Sequence, residues 1–322
     1  MSIFSRLQPV FIILSALIGV VVGELSPSLE QYSGKFIEIF LMFMLFFLFL
    51  NVEIREITKS FSELRFSVTA LVLNFVLTPL FIYALSRIFL AGQIDLQIGF
   101  IMLMVTPCTD WYLIFTGIAQ GNVPLGASIL PLNLILQIGL LPVYLLLFMG
   151  TAVSFEVSTI MHSILFVLIV PLISANVVKA VAKKNNLHKS LAKIQKKSDD
   201  IQFILLCLAI IAMFASQGAL LLGNTIVFVR LLPPLLVFFV VIFFCSFFTG
   251  RVLKLPFNNI IPLIFTTSAR NSPVSLAIAT ITFPLQPIIS LVLVMGPLIE
   301  LPVLAIDAAI LKKLNEKNRL AS

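Results

Sequence analysis

The chain has 322 residues, of which 60% are hydrophobic and only 11% are charged, and its formal net charge is +7. Soluble domains are about 45–50% apolar and about 25% charged, so this composition excludes a soluble globular protein and indicates that the lipid bilayer surrounds the chain. The length accommodates about ten membrane spans of about 20 residues with short connections, which leaves no room for a sizeable soluble domain.

Apolar runs between polar breaks predict ten transmembrane helices, and therefore an all-α membrane protein. The first run lacks a small-residue cleavage site and nine further hydrophobic segments follow it, so we interpret it as a mature helix rather than a signal peptide. In chain order the predicted spans are 8–24, 35–51, 66–90, 96–119, 124–148, 160–182, 202–222, 229–252, 258–283 and 287–311.

The distribution of Lys and Arg predicts the orientation of the spans. Most of the 21 basic residues fall on one side, in the loops at 52–65 and 183–200, after the eighth span and in the tail. Cytoplasmic loops carry the excess of Lys and Arg, so both termini are predicted to be cytoplasmic in a multi-pass plasma-membrane protein. The basic excess is therefore a topology signal, and no nucleic-acid partner is predicted.

The basic loop at 183–200 divides the ten spans into five and five. An odd number of spans in each half makes the two halves enter the membrane from opposite sides, as in many secondary transporters. We therefore predict two inverted five-helix repeats, residues 1–155 and 156–322. The tripeptide Leu141-Pro142-Val143 in the fifth span recurs as Leu301-Pro302-Val303 in the tenth, which supports this division.

The same offset aligns the two most polar stretches inside any span, 106–110 (TPCTD) and 266–273 (TTSARNSP). Each stretch contains a proline, which removes a backbone donor and interrupts the helix. Spans four and nine are therefore predicted to be discontinuous. Unwound backbone at membrane depth must be buried in protein or line a cavity, so the two breaks are predicted to cross. The alternative is a pair of ordinary proline kinks with Ser and Thr hydroxyls bonded back to the helix.

Ionisable groups at membrane depth are candidate functional residues, because each costs about 2.5–3.5 kcal/mol at the bilayer centre. Asp110 and Arg270 are predicted to approach each other at the crossing. One alternative is that the two residues form a structural ion pair. The other is that Arg270 provides a fixed cation, which binds an anionic substrate or replaces a coupling cation. Glu300 has nothing in its own span to neutralise it, so it is either protonated or bonded to the crossing and is a candidate proton carrier. Asp307 lies near its span end and is assigned a structural role.

Cys108 differs from the other two cysteines because it lies at a predicted helix break, where a thiolate can bind thiophilic species. Cys207 and Cys245 are interpreted as small core residues. The spacing of cysteines and histidines predicts neither disulfides nor a metal site, and no cofactor is expected. Polar side chains predicted to bind substrate or line the same cavity are Thr106, Thr109, Asn133, Gln137, Ser268, Asn271 and Ser272, together with Asn74, Thr78 and Gln217.

Three short motifs carry a family resemblance. The segment TPCT at 106–109, followed by GN at 121–122, resembles the fourth-span signature of the arsenite efflux permeases, and LIELPV at 298–303 resembles their tenth-span signature. These permeases belong to the bile acid/sodium symporter superfamily, whose ninth-span crossover is similar to NSPVSLA at 271–277. The resemblance covers the whole chain in length, span count and position of the broken helices.

The resemblance implies a ten-helix fold in which a six-helix core domain containing the crossing moves against a four-helix panel domain. It also implies that Cys108 and Glu300 take part in proton-driven extrusion of arsenite or antimonite. The chain departs from the family at Asp110, where a small residue is expected, and at Arg270, where the crossover is normally uncharged. Sodium-coupled members carry a crossover glutamate that helps bind sodium; this chain has none there, and Arg270 paired with Asp110 fills the same electrostatic role.

We therefore predict a secondary transporter and not an enzyme, since the sequence contains no P-loop, zinc-protease or nucleophile motif. The leading prediction is a proton-linked efflux permease for trivalent metalloid oxyacids, with Cys108 as the soft contact and Glu300 as the proton-linked carboxyl. The second is a carrier of a small organic anion, such as a keto acid or a bile-acid-like carboxylate, recognised by Arg270. The third is a membrane receptor or scaffold without transport activity.

Overall fold

The computed structural model describes residues 8–25, 36, 39–47, 49–50, 63–108, 111–150, 157–185, 187–223 and 225–321. Within these ranges the chain is helical and contains no β-strand longer than an isolated bridge. The predicted site residues Thr109 and Asp110 lie outside the described residues. Of the second predicted span, 35–51, the described residues 36, 39–47 and 49–50 are helical.

The helices are numbered here in chain order. They are α1 (Gln8–Leu25), α2 (Leu64–Phe89), α3 (Ile94–Met104), α4 (Trp111–Ile118), α5 (Val123–Met149), α6 (Val157–Lys184), α7 (His188–Gly223), α8 (Thr225–Val252), α9 (Phe257–Ser268), α10 (Ser272–Thr282) and α11 (Pro287–Ala321). Among the described residues, α2, α5, α8 and α11 contain segments that are long and apolar enough to cross a membrane. The predicted all-α membrane protein is confirmed at this level.

The helices fall into two compact units that alternate along the chain. The first unit consists of Met1–Val52, Phe155–Ile226 and Pro273–Val294. The second consists of Glu53–Ser154, Val227–Ser272 and Met295–Ser322. The residues that form the crossing described below, 104–108, 268–271 and Glu300, belong to the second unit.

In the first unit, α1 lies against α7 through two glycines one turn apart. A Cβ atom added at Gly19 would lie 2.6 Å from the carbonyl oxygen of Ile211, and one added at Gly23 would lie 2.5 Å from that of Ala215. Small residues spaced in this way let helix backbones approach closely within a membrane. The two helices are therefore closer than side chains on α1 would permit.

Replacing Gly23 by Ile is expected to destabilise the protein by about 1–3 kcal/mol, because the added side chain meets backbone that has no rotamer to change. The thermal unfolding midpoint of the purified protein in detergent measures the loss. Gly139→Ile is the matched control, since a Cβ added at Gly139 of α5 meets nothing within 4 Å. Equal destabilisation by both substitutions would contradict the close contact between α1 and α7.

In the second unit, α2 is widened by a π-helical turn at Leu73–Leu77. A π-turn shifts hydrogen bonding from the fourth to the fifth residue and disturbs the pairing of nearby carbonyls. The hydroxyl of Tyr144, on α5, donates to the carbonyl oxygen of Phe75 inside this turn at 2.7 Å. The turn therefore fixes the position of α5 along α2.

A buried apolar cluster holds the site helices of the second unit together. It combines Cys108 and Tyr112 with Phe265 of α9 and with Leu304 and Ala308 of α11, none of them more than 3% exposed. The hydroxyl of Tyr112 donates to the carbonyl oxygen of Gly126 at 2.9 Å, which also ties α4 to α5. The helices on either side of the first break therefore share one buried apolar core.

Candidate functional site

The first helix break separates α3 from α4. α3 ends at Met104 and α4 begins at Trp111. Pro107 disfavours the helical conformation of the preceding residue, Thr106, and has no N–H to continue the helix. The Thr106 hydroxyl lies 3.2 Å from the carbonyl oxygens of Met102 and Leu103, so it can satisfy acceptors in the last turn of α3.

The second break is shorter than the predicted stretch 266–273. Helix α9 continues to Ser268 and α10 begins at Ser272, so only 269–271 are unwound. The hydroxyl of Thr267 donates back to the carbonyl oxygen of Leu263 at 2.8 Å, which lets this polar residue remain helical. Pro273 stands in the first turn of α10, where a missing N–H does not remove a helical hydrogen bond.

The two breaks run antiparallel and hydrogen-bond to each other through a single β-bridge. The N–H of Cys108 donates to the carbonyl oxygen of Ala269 at 2.9 Å, and the N–H of Asn271 donates to that of Thr106 at 2.8 Å. Backbone groups without water must find partners within the protein. Each break therefore supplies partners for the other, which two independent proline kinks would not do.

The guanidinium of Arg270 joins the C-terminal ends of two helices. Its Nη1 donates to the carbonyl oxygen of Met104, the last residue of α3, at 2.9 Å. Its Nε donates to that of Ser268, the last residue of α9, at 3.3 Å. Helix C-termini carry partial negative charge, so this cation is stabilised by both. On α8, the Phe238 ring centroid lies 4.9 Å from its Cζ, within the range of a cation–π contact.

One nitrogen of Arg270 remains available. Its Nη2 has no hydrogen-bond partner among the residues that the structure describes, although the side chain is only 2% exposed. The hydroxyl of Ser268 is likewise buried and has no partner within those ranges. Whether Asp110 contacts Arg270, as predicted, is not described, and that pairing stays a prediction. The described side-chain contacts of Arg270 are with the ends of α3 and α9 and with the Phe238 ring.

Glu300 lies on α11 and contacts the crossing directly. Its Oε1 accepts a hydrogen bond from the backbone N–H of Arg270 at 2.8 Å, and the side chain is 4% exposed. One turn earlier, a Cβ added at Gly296 would lie 2.6 Å from Cδ2 of Leu103, so glycine lets α11 approach α3 here. Of the two alternatives considered for Glu300, the bond to the crossing is therefore present.

Cys108 lies where the first break leads into α4. Its Sγ accepts a hydrogen bond from the N–H of Trp111, the first residue of α4, at 3.3 Å. The side chain is 3% exposed. A helix N-terminus carries partial positive charge, which favours electron-rich sulfur at this position. The thiol therefore lies beside the backbone bridge that joins the two breaks.

Several predicted cavity residues on α2 and α5 are buried polar side chains. The Nδ2 of Asn133, on α5, donates to the Thr266 hydroxyl of α9 at 3.0 Å. Its Oδ1 has no partner within the described ranges, and neither has either polar atom of the Gln137 side chain one turn later. On α2, both polar atoms of the Asn74 side chain and the Thr78 hydroxyl are also buried and have no hydrogen-bond partner within the described ranges. Buried polar atoms are normally hydrogen-bonded, and the cavity-lining role that the sequence predicts for these side chains stays a prediction.

A match to a known family covers the first helix break and ends before the second. Residues 38–224, more than half of the chain, match the model of the sodium bile acid symporter family. The chain belongs to the sodium bile acid symporter family. The predicted membership of this superfamily is thereby confirmed.

Three relatives of this family member are similar to it over most of its length. An arsenical-resistance protein Acr3 of Corynebacterium glutamicum is 24% identical, with 94% of this chain and 87% of the relative aligned. One of Alkaliphilus metalliredigens, also named Acr3, is 21% identical, with 94% and 90% aligned. An uncharacterized transporter of Synechocystis is 23% identical, with 97% and 89% aligned.

In the second unit of this symporter-family chain, one buried side chain that the sequence analysis did not single out links α11 to the end of α4 by hydrogen bonds. The Nδ2 of Asn315, near the end of α11, donates to the carbonyl oxygens of Ala119 and Gln120 at 3.3 and 2.9 Å. These two residues follow the end of α4, and Gln120 adopts a left-handed φ of 58°. Asn315 is only 3% exposed. The sequence does not indicate this role, because a polar residue within a basic tail is expected to be exposed to solvent.

The remaining predicted residues of this family member are placed as follows. Asn271 and Ser272 are each 4% exposed at the crossing. Gln217 lies on α7 in the first unit, apart from the other polar residues predicted to line the cavity. Asp307 is 8% exposed, and its Oδ2 has no hydrogen-bond partner within the described part of the chain. Sequence reasoning did not assign a role to Phe238, since the chain contains 30 phenylalanines.

Proposed function

We propose that this chain is a secondary active transporter that exports trivalent metalloid oxyacids, such as arsenite and antimonite, across the plasma membrane in exchange for protons. The observation that carries the proposal is the position of Cys108. Its buried thiol lies at the β-bridge between two broken helices, and Glu300 and Arg270 meet at the same bridge. The similarity to two arsenical-resistance proteins over 94% of the chain supports the choice of substrate.

The proposed substrate contact is a single, reversible arsenic–sulfur bond. The thiol of Cys108 displaces one hydroxyl of the neutral trihydroxy acid; the thiol proton and that hydroxyl leave as water, and the reverse reaction releases the substrate. Thiolate sulfur is a soft ligand that suits such a centre. Among the described residues no group of three His, Cys, Asp or Glu side chains gathers into a metal site. Cys108 alone then provides a contact weak enough for release.

The proposed proton carrier is Glu300. Its carboxylate accepts the backbone N–H of Arg270 at 2.8 Å, so the negative charge contributes to holding α11 against the crossing. A proton bound to this carboxyl neutralises that charge and weakens the contact. Proton binding is thereby coupled to the backbone that also positions Cys108. In this proposal ten spans form two inverted five-helix repeats, residues 1–155 and 156–322, and both termini are cytoplasmic.

Arsenite uptake into everted membrane vesicles tests this function. Export from the cell becomes uptake in this orientation, and an acidic vesicle interior supplies the outward proton gradient. We expect uptake severalfold above that of vesicles lacking the protein, and collapse of the difference when a protonophore is added. Absence of gradient-dependent uptake in vesicles that contain folded protein would contradict the proposal.

A carrier of a small organic anion is the second candidate. The buried Nη2 of Arg270 favours it, because a donor without a partner within the described ranges suits an incoming carboxylate. In that case keto acids would exchange across the vesicle membrane and arsenite would not. Replacing Cys108 by Ser would then leave transport unchanged, whereas replacing Arg270 by Ala would abolish it.

A further inference from the structure

We infer that the guanidinium of Arg270 is a resident cation of the crossing, which occupies the position of a transported sodium ion and makes transport by this chain independent of sodium. This inference deepens the proposed function, because it concerns the ion that drives the same site. It rests on the contacts of Arg270 with the ends of α3 and α9 and with the ring of Phe238.

The crossing offers ligands of the kind that an alkali cation needs. Half-helix C-terminal ends and unwound backbone carbonyls coordinate sodium in transporters with discontinuous helices. Here the ends of α3 and α9 both present carbonyl oxygens to one point, and the guanidinium bonds Met104 and Ser268 there at 2.9 and 3.3 Å. The positive charge required by two helix C-termini is thus supplied by a side chain.

A sodium ion does not fit the same position. To reach these two carbonyl oxygens it would have to displace the guanidinium, and two buried cations side by side would repel each other. On the remaining side, the Phe238 ring lies 4.9 Å from the Arg270 Cζ and binds a planar, weakly hydrated cation. Although the family is named for sodium, the two carbonyl oxygens that would coordinate the ion at this crossing already accept hydrogen bonds from Arg270.

The charge balance at the crossing agrees with this assignment. The carboxylate of Glu300 accepts the backbone N–H of the same residue whose side chain carries the positive charge. Both residues are at least 95% buried, so their charges interact with little screening by water. Since the cation is covalently attached, it never leaves with the substrate. The driving force must then come from another ion.

The first test compares sodium with a bulky organic cation in proteoliposomes that contain the wild-type protein. Initial arsenite uptake driven by a proton gradient is expected to be the same in sodium chloride and in N-methylglucamine chloride. Severalfold stimulation by sodium, or uptake driven by a sodium gradient alone, overturns the inference.

The second test needs no transport and uses Arg270→Ala in detergent. Methylguanidinium at millimolar concentration is expected to raise the thermal unfolding midpoint of this variant by several degrees, because it binds the vacated site in the folded state only. Methylurea has nearly the same shape without the charge and is expected to have no effect. Equal rescue by both compounds, or no rescue by methylguanidinium, overturns the inference. If Arg270→Ala does not fold, Arg270→Gln takes its place with the same criteria.

Arg230→Ala is the matched control, because Arg230 is an exposed arginine on α8. Its unfolding midpoint is expected to respond to neither compound. The two tests also separate this inference from the proposed function. If the wild-type protein does not transport arsenite but methylguanidinium alone stabilises Arg270→Ala, only the metalloid proposal is contradicted. If the wild-type protein transports arsenite only with sodium, only the resident-cation inference is contradicted.

Discussion

Replacing Glu300 by Gln is expected to reduce proton-driven arsenite uptake by at least about 100-fold, the size typical of losing a proton-transfer group. In the wild-type protein the Glu300 carboxylate accepts the backbone N–H of Arg270 at 2.8 Å. The amide oxygen of Gln can accept the same N–H, so the crossing keeps this hydrogen bond. It cannot bind and release a proton. Initial uptake into everted vesicles, with and without an imposed gradient, measures the loss.

Arsenite counterflow separates coupling from binding in the Glu300→Gln variant. Counterflow needs substrate binding and a change of access but no net proton movement, so it is expected to persist. The control is Glu316→Gln, which removes an exposed carboxylate from the same helix and should leave uptake at the wild-type rate. Gradient-driven uptake that survives in Glu300→Gln would exclude this residue as the proton carrier.

The second large effect is expected at Cys108. Replacing it by Ser should lower arsenite uptake at least about tenfold, which corresponds to about 1.4 kcal/mol of binding free energy. The serine oxygen is nearly isosteric and can accept the N–H of Trp111 as sulfur does at 3.3 Å, so the start of α4 should be preserved. The soft contact with the metalloid is lost. Arsenite uptake and the thermal unfolding midpoint are measured together.

Cys245→Ser is the matched control for Cys108→Ser. Cys245 is a half-buried cysteine on α8, away from the breaks along the chain, and its replacement should leave uptake unchanged. If both serine variants transport arsenite normally, the thiol is not a substrate contact. Transport of a keto acid by the Cys108→Ser variant would then favour the organic-anion carrier.

The two helix breaks could be predicted from the sequence because their signal is local. A proline and several polar residues inside an apolar run predict an interrupted helix wherever the chain is placed in a membrane. The extent of the second break was less predictable. Thr267 stays helical because its hydroxyl bonds back to Leu263, and the sequence does not distinguish such a hydroxyl from one that faces a cavity.

The partners of Arg270 could not be predicted for a physical reason. Its guanidinium bonds main-chain carbonyls at Met104 and Ser268, and every residue has such a carbonyl. Charge pairing predicts only Asp110, which lies outside the described residues, because a sequence distinguishes side chains and not main-chain carbonyls. Phe238 was equally hidden, because a ring that faces a cation and a ring that faces lipid follow the same apolar pattern.

The π-helical turn of α2 also has no marker in the sequence. Residues 73–77 read as an ordinary part of the predicted span 66–90. The turn becomes meaningful only when Tyr144, far along the chain, is seen to donate to Phe75. Features that depend on a distant partner are set by tertiary packing, and local propensity does not reveal them.

Helix α11 is held at two distant points along its length. Glu300 holds one point of the helix at the bridge, and Asn315 holds another at the end of α4. Fifteen residues separate the two points, or about 22 Å of helix. Glu300 contacts the second break, which is hydrogen-bonded to Cys108, and Asn315 contacts the residues after α4. A tilt of α11 at the bridge is therefore expected to displace its C-terminal end. A spin label or fluorophore attached beyond Asn315 would therefore report movement of α11 at the bridge beside the Cys108 thiol.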